Sequence, residues 1–124
     1  MAANEIANAL HACAVLELAA TTPGCIIYGG NGIVSLEHLA TGIWLVTLEQ
    51  PLRMDAGPPT TVNAVPVISH YSAINTILGA AVGLETHPTP RVRGNILIQQ
   101  LVGPAPDDTT VTCGLVVLKL PTLG

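Results

Sequence analysis

Clusters of turn-forming residues interrupt this chain of 124 residues at short intervals. Glycine, proline, asparagine, aspartate and threonine gather at 21–24, 29–32, 55–59, 87–90 and 103–108, and such clusters end regular elements. The runs between them are short and rich in β-branched and aliphatic residues, which is typical of strands. About eight strands joined by turns predict an all-β fold, an antiparallel β-sandwich or barrel. The predicted strands are 12–18, 25–28, 33–38, 43–48, 61–69, 75–82, 96–102 and 110–120.

The sequence Gly-Gly-Asn-Gly at 29–32 carries the clearest local turn signal. Tight hairpin turns need a positive φ, which glycine and asparagine adopt at low cost. We therefore expect a hairpin in which strand 25–28 pairs with strand 33–38.

The first residues differ from the rest of the chain. Ile6 and Leu10 are spaced to share one face of a short helix, but a helix this short needs a docking partner. We expect an N-terminal arm or short helix at 1–10, followed by one β-sandwich domain at 11–124. A basic leader is missing and Glu17 interrupts the apolar stretch, so neither a signal peptide nor a membrane anchor is expected.

Apolar residues are abundant and charges are scarce: 49% of residues are hydrophobic and 10% are charged. Strand 110–120 shows the consequence, because it is apolar at almost every position and needs cover on both faces. One face is covered by the core of the domain, and a second subunit is the simplest cover for the other. We therefore expect a homo-oligomer. Lys119 is the only lysine and the formal net charge is −4, which disfavours nucleic-acid binding.

Several residues are expected at the subunit interface. The central strand 43–48 contributes Ile43, Trp44 and Leu45, and a tryptophan in such a strand is usually in a core or an interface. Arg91 and Arg93 lie two apart in a proline-rich loop, where they either clamp carboxylates of a partner or are solvated. The remaining candidates are apolar residues of the arm and the last strand: Ile6, Leu10, Val111, Leu115 and Val117.

Motifs of catalysis or metal binding are missing from the sequence. The four histidines lack the close spacing of zinc ligands. Three cysteines at unrelated spacings argue against a disulfide framework. The chain has neither a Gly-x-Ser-x-Gly elbow nor the Gly-Lys-Ser/Thr ending of a phosphate loop. We expect no catalytic residue, metal or cofactor.

Three segments carry a resemblance to a known group of proteins. They are Ala-Thr-Gly-Ile-Trp-Leu-Val-Thr-Leu-Glu-Gln-Pro-Leu at 40–52, Thr-Val-Asn-Ala-Val-Pro-Val-Ile at 61–68, and the strand pair at 95–119. Together they resemble the small β-sandwich modules of tailed-phage virion proteins. Gly42 and the pair Asp107 and Asp108 occupy matching places, while Trp44 stands where a tyrosine is common.

This resemblance implies a function based on assembly. Members of the group are capsid decoration (cement) proteins, head fibres and fibre heads, commonly trimers with a fold like the tumour-necrosis-factor jelly roll. It implies a homotrimer on the lattice of the major capsid protein, located on the virion after assembly in the host cytoplasm. Only 2% of residues are aromatic, which favours a cement role over a sugar-binding head. A receptor- or glycan-binding head using loops 53–60 and 84–94, and a small ligand-binding or enzymatic β-barrel, remain alternatives.

Overall fold

Two antiparallel sheets pack face to face in this protein. The computed structural model describes residues 9–52, 64–71, 76–83 and 92–119. All strand pairs are antiparallel, so the predicted antiparallel β-sandwich is confirmed. The nine strands in these ranges are β1 (Leu10–Leu18), β2 (Ile26–Asn31), β3 (Ile33–Ala40), β4 (Ile43–Leu48), β5 (Ala64–Tyr71), β6 (Thr76–Val82), β7 (Ile96–Val102), β8 (Ala105–Pro106) and β9 (Val111–Lys119).

The first and last strands of the chain, β1 and β9, are neighbours in one sheet. Sheet A has the order β2-β1-β9-β5, and sheet B has the order β3-β4-β7-β6, with the short β8 paired to β7. The last strand, β9, therefore lies in the middle of sheet A between β1 and β5. Strand β8 lies in the 103–108 cluster, which the sequence predicts only as a turn. Residues 1–8 of the predicted arm lie outside the described residues, and β1 already begins at Leu10.

The predicted hairpin between β2 and β3 is wrong. Strand β2 pairs with β1, and β3 pairs with β4, so the chain passes from sheet A to sheet B at Gly32. Gly32 has a φ of 81°, which fits the expected need for glycine but serves a crossing between sheets. A side chain at position 30 would place its Cβ 2.2 Å from the carbonyl oxygen of Cys13. Gly30 therefore allows β2 to lie close against β1.

The core lies between the sheets and follows from strict alternation along each strand. In β9, every second residue from Val111 to Val117 is at most 5% exposed, because alternate side chains point to opposite faces. Trp44 is fully buried, and its indole Nε1 donates to the carbonyl oxygen of Ala19 at 2.8 Å. The inward-facing apolar residues with the largest volumes are Leu16, Leu18, Trp44, Leu48, Ile96, Ile98 and Leu115.

Candidate interaction surface

The outer face of sheet A is apolar and open. Strand register aligns Gly29, Val15, Gly114 and Ser69 in one row across the four strands. The neighbouring row contains Cys13, Val116 and Val67, together with Asn31 at its edge. We call the surface formed by these two rows and by Val65 the sheet A face.

The valines of this face are strongly exposed. Val15 is 46% exposed, Val67 50% and Val65 39%, while Cys13 and Val116 are half-buried. Three exposed valines so close together form a patch rather than the scattered single apolar residues that any surface carries. Contiguous exposed apolar surface on a soluble domain commonly marks a binding site.

A shallow groove of about 450 Å³ crosses the sheet A face. Its floor runs past Gly29 and Gly114, and Val15, Val67 and Val116 are among the side chains at its sides. A Cβ at position 29 would meet nothing within 4 Å, and one at position 114 would lie 3.4 Å from Ser69 Oγ. The subunit's own packing therefore leaves room for side chains at both glycines, and their absence keeps the groove open.

Charge is confined to the end of this face. Glu17 lies one row beyond Val15, and its Oε1 accepts a hydrogen bond from the hydroxyl of Tyr28 at 3.2 Å. That hydrogen bond raises the pKa of Tyr28 above its ordinary value, with smaller contributions from burial and from the charge of Glu17. Tyr28 is 59% exposed, so an aromatic ring also borders the face.

A second feature is a polar cluster where the β3–β4 turn meets the segment after β8. Asp108 Oδ1 accepts from Gly42 N at 2.6 Å and contacts His38 Nε2 at 2.9 Å. The His38 ring also packs edge-on against Trp44, with 5.5 Å between ring centroids. A histidine next to an aspartate occurs in catalytic triads, but a triad also needs a nucleophile at the other ring nitrogen. The nearby hydroxyl of Thr22 instead accepts from the His38 backbone N–H at 3.0 Å, so this cluster holds the turn in place.

Gln100 completes this cluster from the core side. It is fully buried, and its Nε2 donates to the carbonyl oxygen of Thr109 at 2.7 Å and to two oxygens of Asp107 at 3.1 and 3.2 Å. Hydrogen bonds from the Thr109 side chain and N–H, and from Gln100, lower the pKa of Asp107. The carboxylate therefore receives several donors from within the subunit, which fixes the loop before β9.

Five of the ten residues predicted at the interface are buried within this subunit. Trp44, Leu45, Val111, Leu115 and Val117 are at most 5% exposed within this subunit, so their side chains do not form a free surface. All but Leu45 belong to the central core cluster.

The other candidates divide between the surface and the undescribed residues. Leu10 is 38% exposed at the start of β1, and Ile43 lines a groove on the outer face of sheet B. Arg93 is half-buried and engages in interactions within the protein. Ile6 and Arg91 lie outside the described residues.

The sheet A face includes the outer side of β9, the strand that the sequence predicts to need cover on both faces. Strand β9 was expected to show apolar residues on both faces, and it does, yet Val116 and its neighbours on β1 and β5 form the open side. Val15, Val65 and Val67 of this face are not among the residues predicted from the sequence. For Val15 the signal was the alternation of β1, in which Ala12, Ala14 and Leu16 are buried while Val15 is exposed.

No protein-family model, curated protein or solved structure matches this chain. Within the described ranges, no three histidine, cysteine, aspartate or glutamate residues lie close enough to hold a metal ion. Helices long and apolar enough to cross a membrane do not occur in those ranges either. Among the features of the described residues, the sheet A face points most clearly to a function.

Proposed function

We propose that this protein is a structural virion protein of the capsid decoration (cement) type, which self-associates as a trimer and stabilises a phage capsid surface. The observation that carries this proposal is the apolar sheet A face, on which Val15, Val65 and Val67 are each at least 39% exposed. Burial of such apolar surface against a partner stabilises the complex by about 25 cal/mol per Å².

The size of the face fits a protein contact. The whole outer face of sheet A, which contains the sheet A face and its borders, has four strands about 4.8 Å apart, each about eight residues long at roughly 3.3 Å per residue, and spans about 400 to 500 Å². Each partner in a stable protein interface contributes about 800 Å². The sheet A face and its borders thus supply a large part of such an interface, with sister subunits as the first partner and the major capsid protein lattice as the second.

The alternatives find less support in the described residues. A binding or catalytic site for a small molecule uses a few convergent polar groups within an apolar pocket, whereas the described lining of the groove on the sheet A face offers only the hydroxyl of Ser69 and the thiol of Cys13. A smaller cleft of about 190 Å³ is lined by polar residues that include His11 and Glu49, but His11 Nε2 already contacts the carbonyl oxygen of Gln50 at 2.7 Å. Most of the loops of the proposed receptor-binding head lie outside the described residues.

The contact role of the face is tested by substituting one valine. Val67→Lys places a charge on the sheet A face, while the matched control Val34→Lys changes a valine that is 62% exposed on β3 of sheet B. We expect light scattering at micromolar concentration to show a lower assembly mass for Val67→Lys and an unchanged mass for Val34→Lys. Equal masses for both variants and the unmodified protein would remove the sheet A face from the assembly.

The virion role is tested on particles. Phage particles that carry the protein and particles from which it is absent are heated in parallel, and surviving infectivity and released DNA are measured. A cement protein raises the temperature at which particles fail, because its contacts bridge neighbouring capsomers. Equal survival of the two preparations would contradict the cementing role, even if the protein self-associates in solution.

A further inference from the structure

Strand β6 forms one edge of sheet B. Beyond its ladder with β7, its backbone makes no hydrogen bond to another described residue. An edge strand presents a row of N–H and C=O groups that pair with another strand unless something blocks them. Charged residues, proline and bulges are the common blocks.

The other three edges carry such blocks, and β6 does not. Strand β3 contains Glu37 and two register irregularities, β5 contains Pro66, and β2 faces an irregularity in its ladder with β1. Strand β6 reads Thr-Ile-Leu-Gly-Ala-Ala-Val, with neither charge nor proline. Its ladder with β7 runs from Thr76 to Val82 without a register shift, so this edge is regular.

Gly79 lies at the middle of β6, and no packing contact within the described residues requires a glycine there. A Cβ at this position would meet nothing within 4 Å, and Gly79 is not among the glycines with a positive φ. Glycine inside a strand weakens it relative to alanine, because glycine loses more backbone freedom on folding. A groove of about 360 Å³ lies beside it, lined in part by Ile43, Ala81 and Leu97.

We propose that two copies of this chain pair antiparallel through β6 about a two-fold axis at Gly79. In that register Gly79 faces its own copy, Ile77 faces Ala81 of the partner subunit, and Leu78 faces Ala80 of the partner subunit. Ile77 and Leu78 then each lie opposite an alanine, and Val82 lies opposite Thr76 of the partner subunit. The pairing places the partner strand against Ile77, which is 58% exposed in the single subunit. Cross-strand side-chain pairs of this kind stabilise sheets.

The strand that pairs with β6 belongs to a second copy of this chain rather than to an unrelated protein, because the β6 edge is complementary to itself. A two-fold contact requires one surface to match the same surface after rotation, and the large-to-small order of β6 reverses in the required way. The strand carries no charge, so the net charge of −4 on each copy is not concentrated at the contact. This pairing uses a different surface from the sheet A face and does not depend on a virion role.

The test separates the two surfaces by using full-length protein with the Val67→Lys substitution as the background. In this background we expect sedimentation velocity to show a dimer. Adding Gly79→Lys puts two lysines opposite each other at the two-fold axis, which weakens dimerisation about fivefold or more. The matched control Gly79→Val adds a side chain without charge and keeps the dimer. Circular dichroism checks that each variant is folded.

A charge-swap experiment makes the register itself testable. The Gly79→Lys and Gly79→Glu variants each dimerise weakly alone, and their equimolar mixture recovers a dimer because opposite charges then meet at the axis. Three outcomes would overturn the proposal: a monomeric Val67→Lys background, a Gly79→Lys protein that dimerises as well as Gly79→Val, or a mixture that associates no better than its components. None of these outcomes bears on the particle heating test, so a failure here leaves the cementing role to be judged separately.

Discussion

The thiol of Cys113 lies fully buried on the inner side of β9. Burial disfavours the thiolate and raises the pKa of Cys113 from 9.0 to about 11. The thiol therefore contributes stability that is fully present below pH 9 and is lost as the pH rises through 11. A shift of this size corresponds to a loss of about 2 to 3 kcal/mol in the free energy of unfolding.

We expect the Cys113→Ala variant to lack this alkaline loss. The variant starts less stable because the smaller side chain leaves a cavity, but the stability gap to the unmodified protein narrows between pH 9 and pH 11. Urea unfolding at several pH values measures the gap. A gap that stays constant across this range would show that the Cys113 thiol does not titrate differently in the folded and unfolded states.

Asp107 offers the opposite pH dependence. Hydrogen bonds from Thr109 and Gln100 lower the pKa of Asp107 below the ordinary 3.8, so its carboxylate contributes stability above pH 3.8 that is lost as the pH falls through the lowered pKa. We expect Asp107→Asn to be less stable than the unmodified protein at pH 7, with a difference that shrinks in strong acid. Thermal unfolding across the acid range measures this stability difference. A difference that stays the same at every pH would contradict the prediction.

Sequence patterns predict the identity of buried residues better than their function. Trp44, Val111 and Leu115 were identified as important apolar positions, and they are, but as core rather than as interface. The reason is that alternation shows which residues share a face without showing which face meets the other sheet. That choice depends on strand order, which places β9 between β1 and β5 and is set by contacts distant in sequence.

At the scale of elements, the β3–β4 turn depends on Gly42. Its φ is 72°, and a Cβ there would lie 2.7 Å from the carbonyl oxygen of Gln100 and 2.9 Å from the N of Asp107. We expect Gly42→Ala to destabilise the fold by about 2 kcal/mol or more, because backbone strain and a backbone clash add. Chemical denaturation measures this loss.

Gly103 provides the matched control for this turn. It also has a positive φ, of 59°, but a Cβ there would meet nothing within 4 Å. Gly103→Ala should therefore cost only the strain of the backbone conformation, about 1 to 2 kcal/mol. Equal losses for the two variants would mean that the approach of Gln100 and Asp107 to the turn adds nothing to stability.

Local signals located the elements, but pairing required distant information. The turn clusters marked most strand ends within a few residues because glycine and proline act locally. The Gly-Gly-Asn-Gly stretch misled because a glycine needed for close strand approach, Gly30, looks the same in sequence as a glycine needed in a hairpin. The close approach of Gly30 to the carbonyl oxygen of Cys13 becomes visible only when β2 is paired with β1, and a one-dimensional pattern does not contain that pairing.

At the scale of the whole molecule, polar side chains and apolar surfaces are separated in space. Among the described residues, polar side chains form a cluster where the β3–β4 turn meets the segment before β9. His38 Nε2 contacts Asp108 Oδ1, which also accepts from the N–H of Gly42, and Gln100 Nε2 donates to the carbonyl oxygen of Thr109. The sheet A face and the edge strand β6 carry little charge. The molecule thus has one end stabilised by polar contacts and two surfaces suited to assembly.

This distribution predicts how salts affect self-association. Contact through valines strengthens when sulfate is added, because sulfate is excluded from protein surface and favours burial. Sodium chloride increases self-association slightly, because it screens the repulsion between copies that each carry a net charge of −4. Light scattering in sodium chloride and in ammonium sulfate at matched ionic strength measures both effects. Association that falls as sodium chloride rises would mean that charge pairs hold the copies together, and the apolar sheet A face would then not be the contact that assembles this protein.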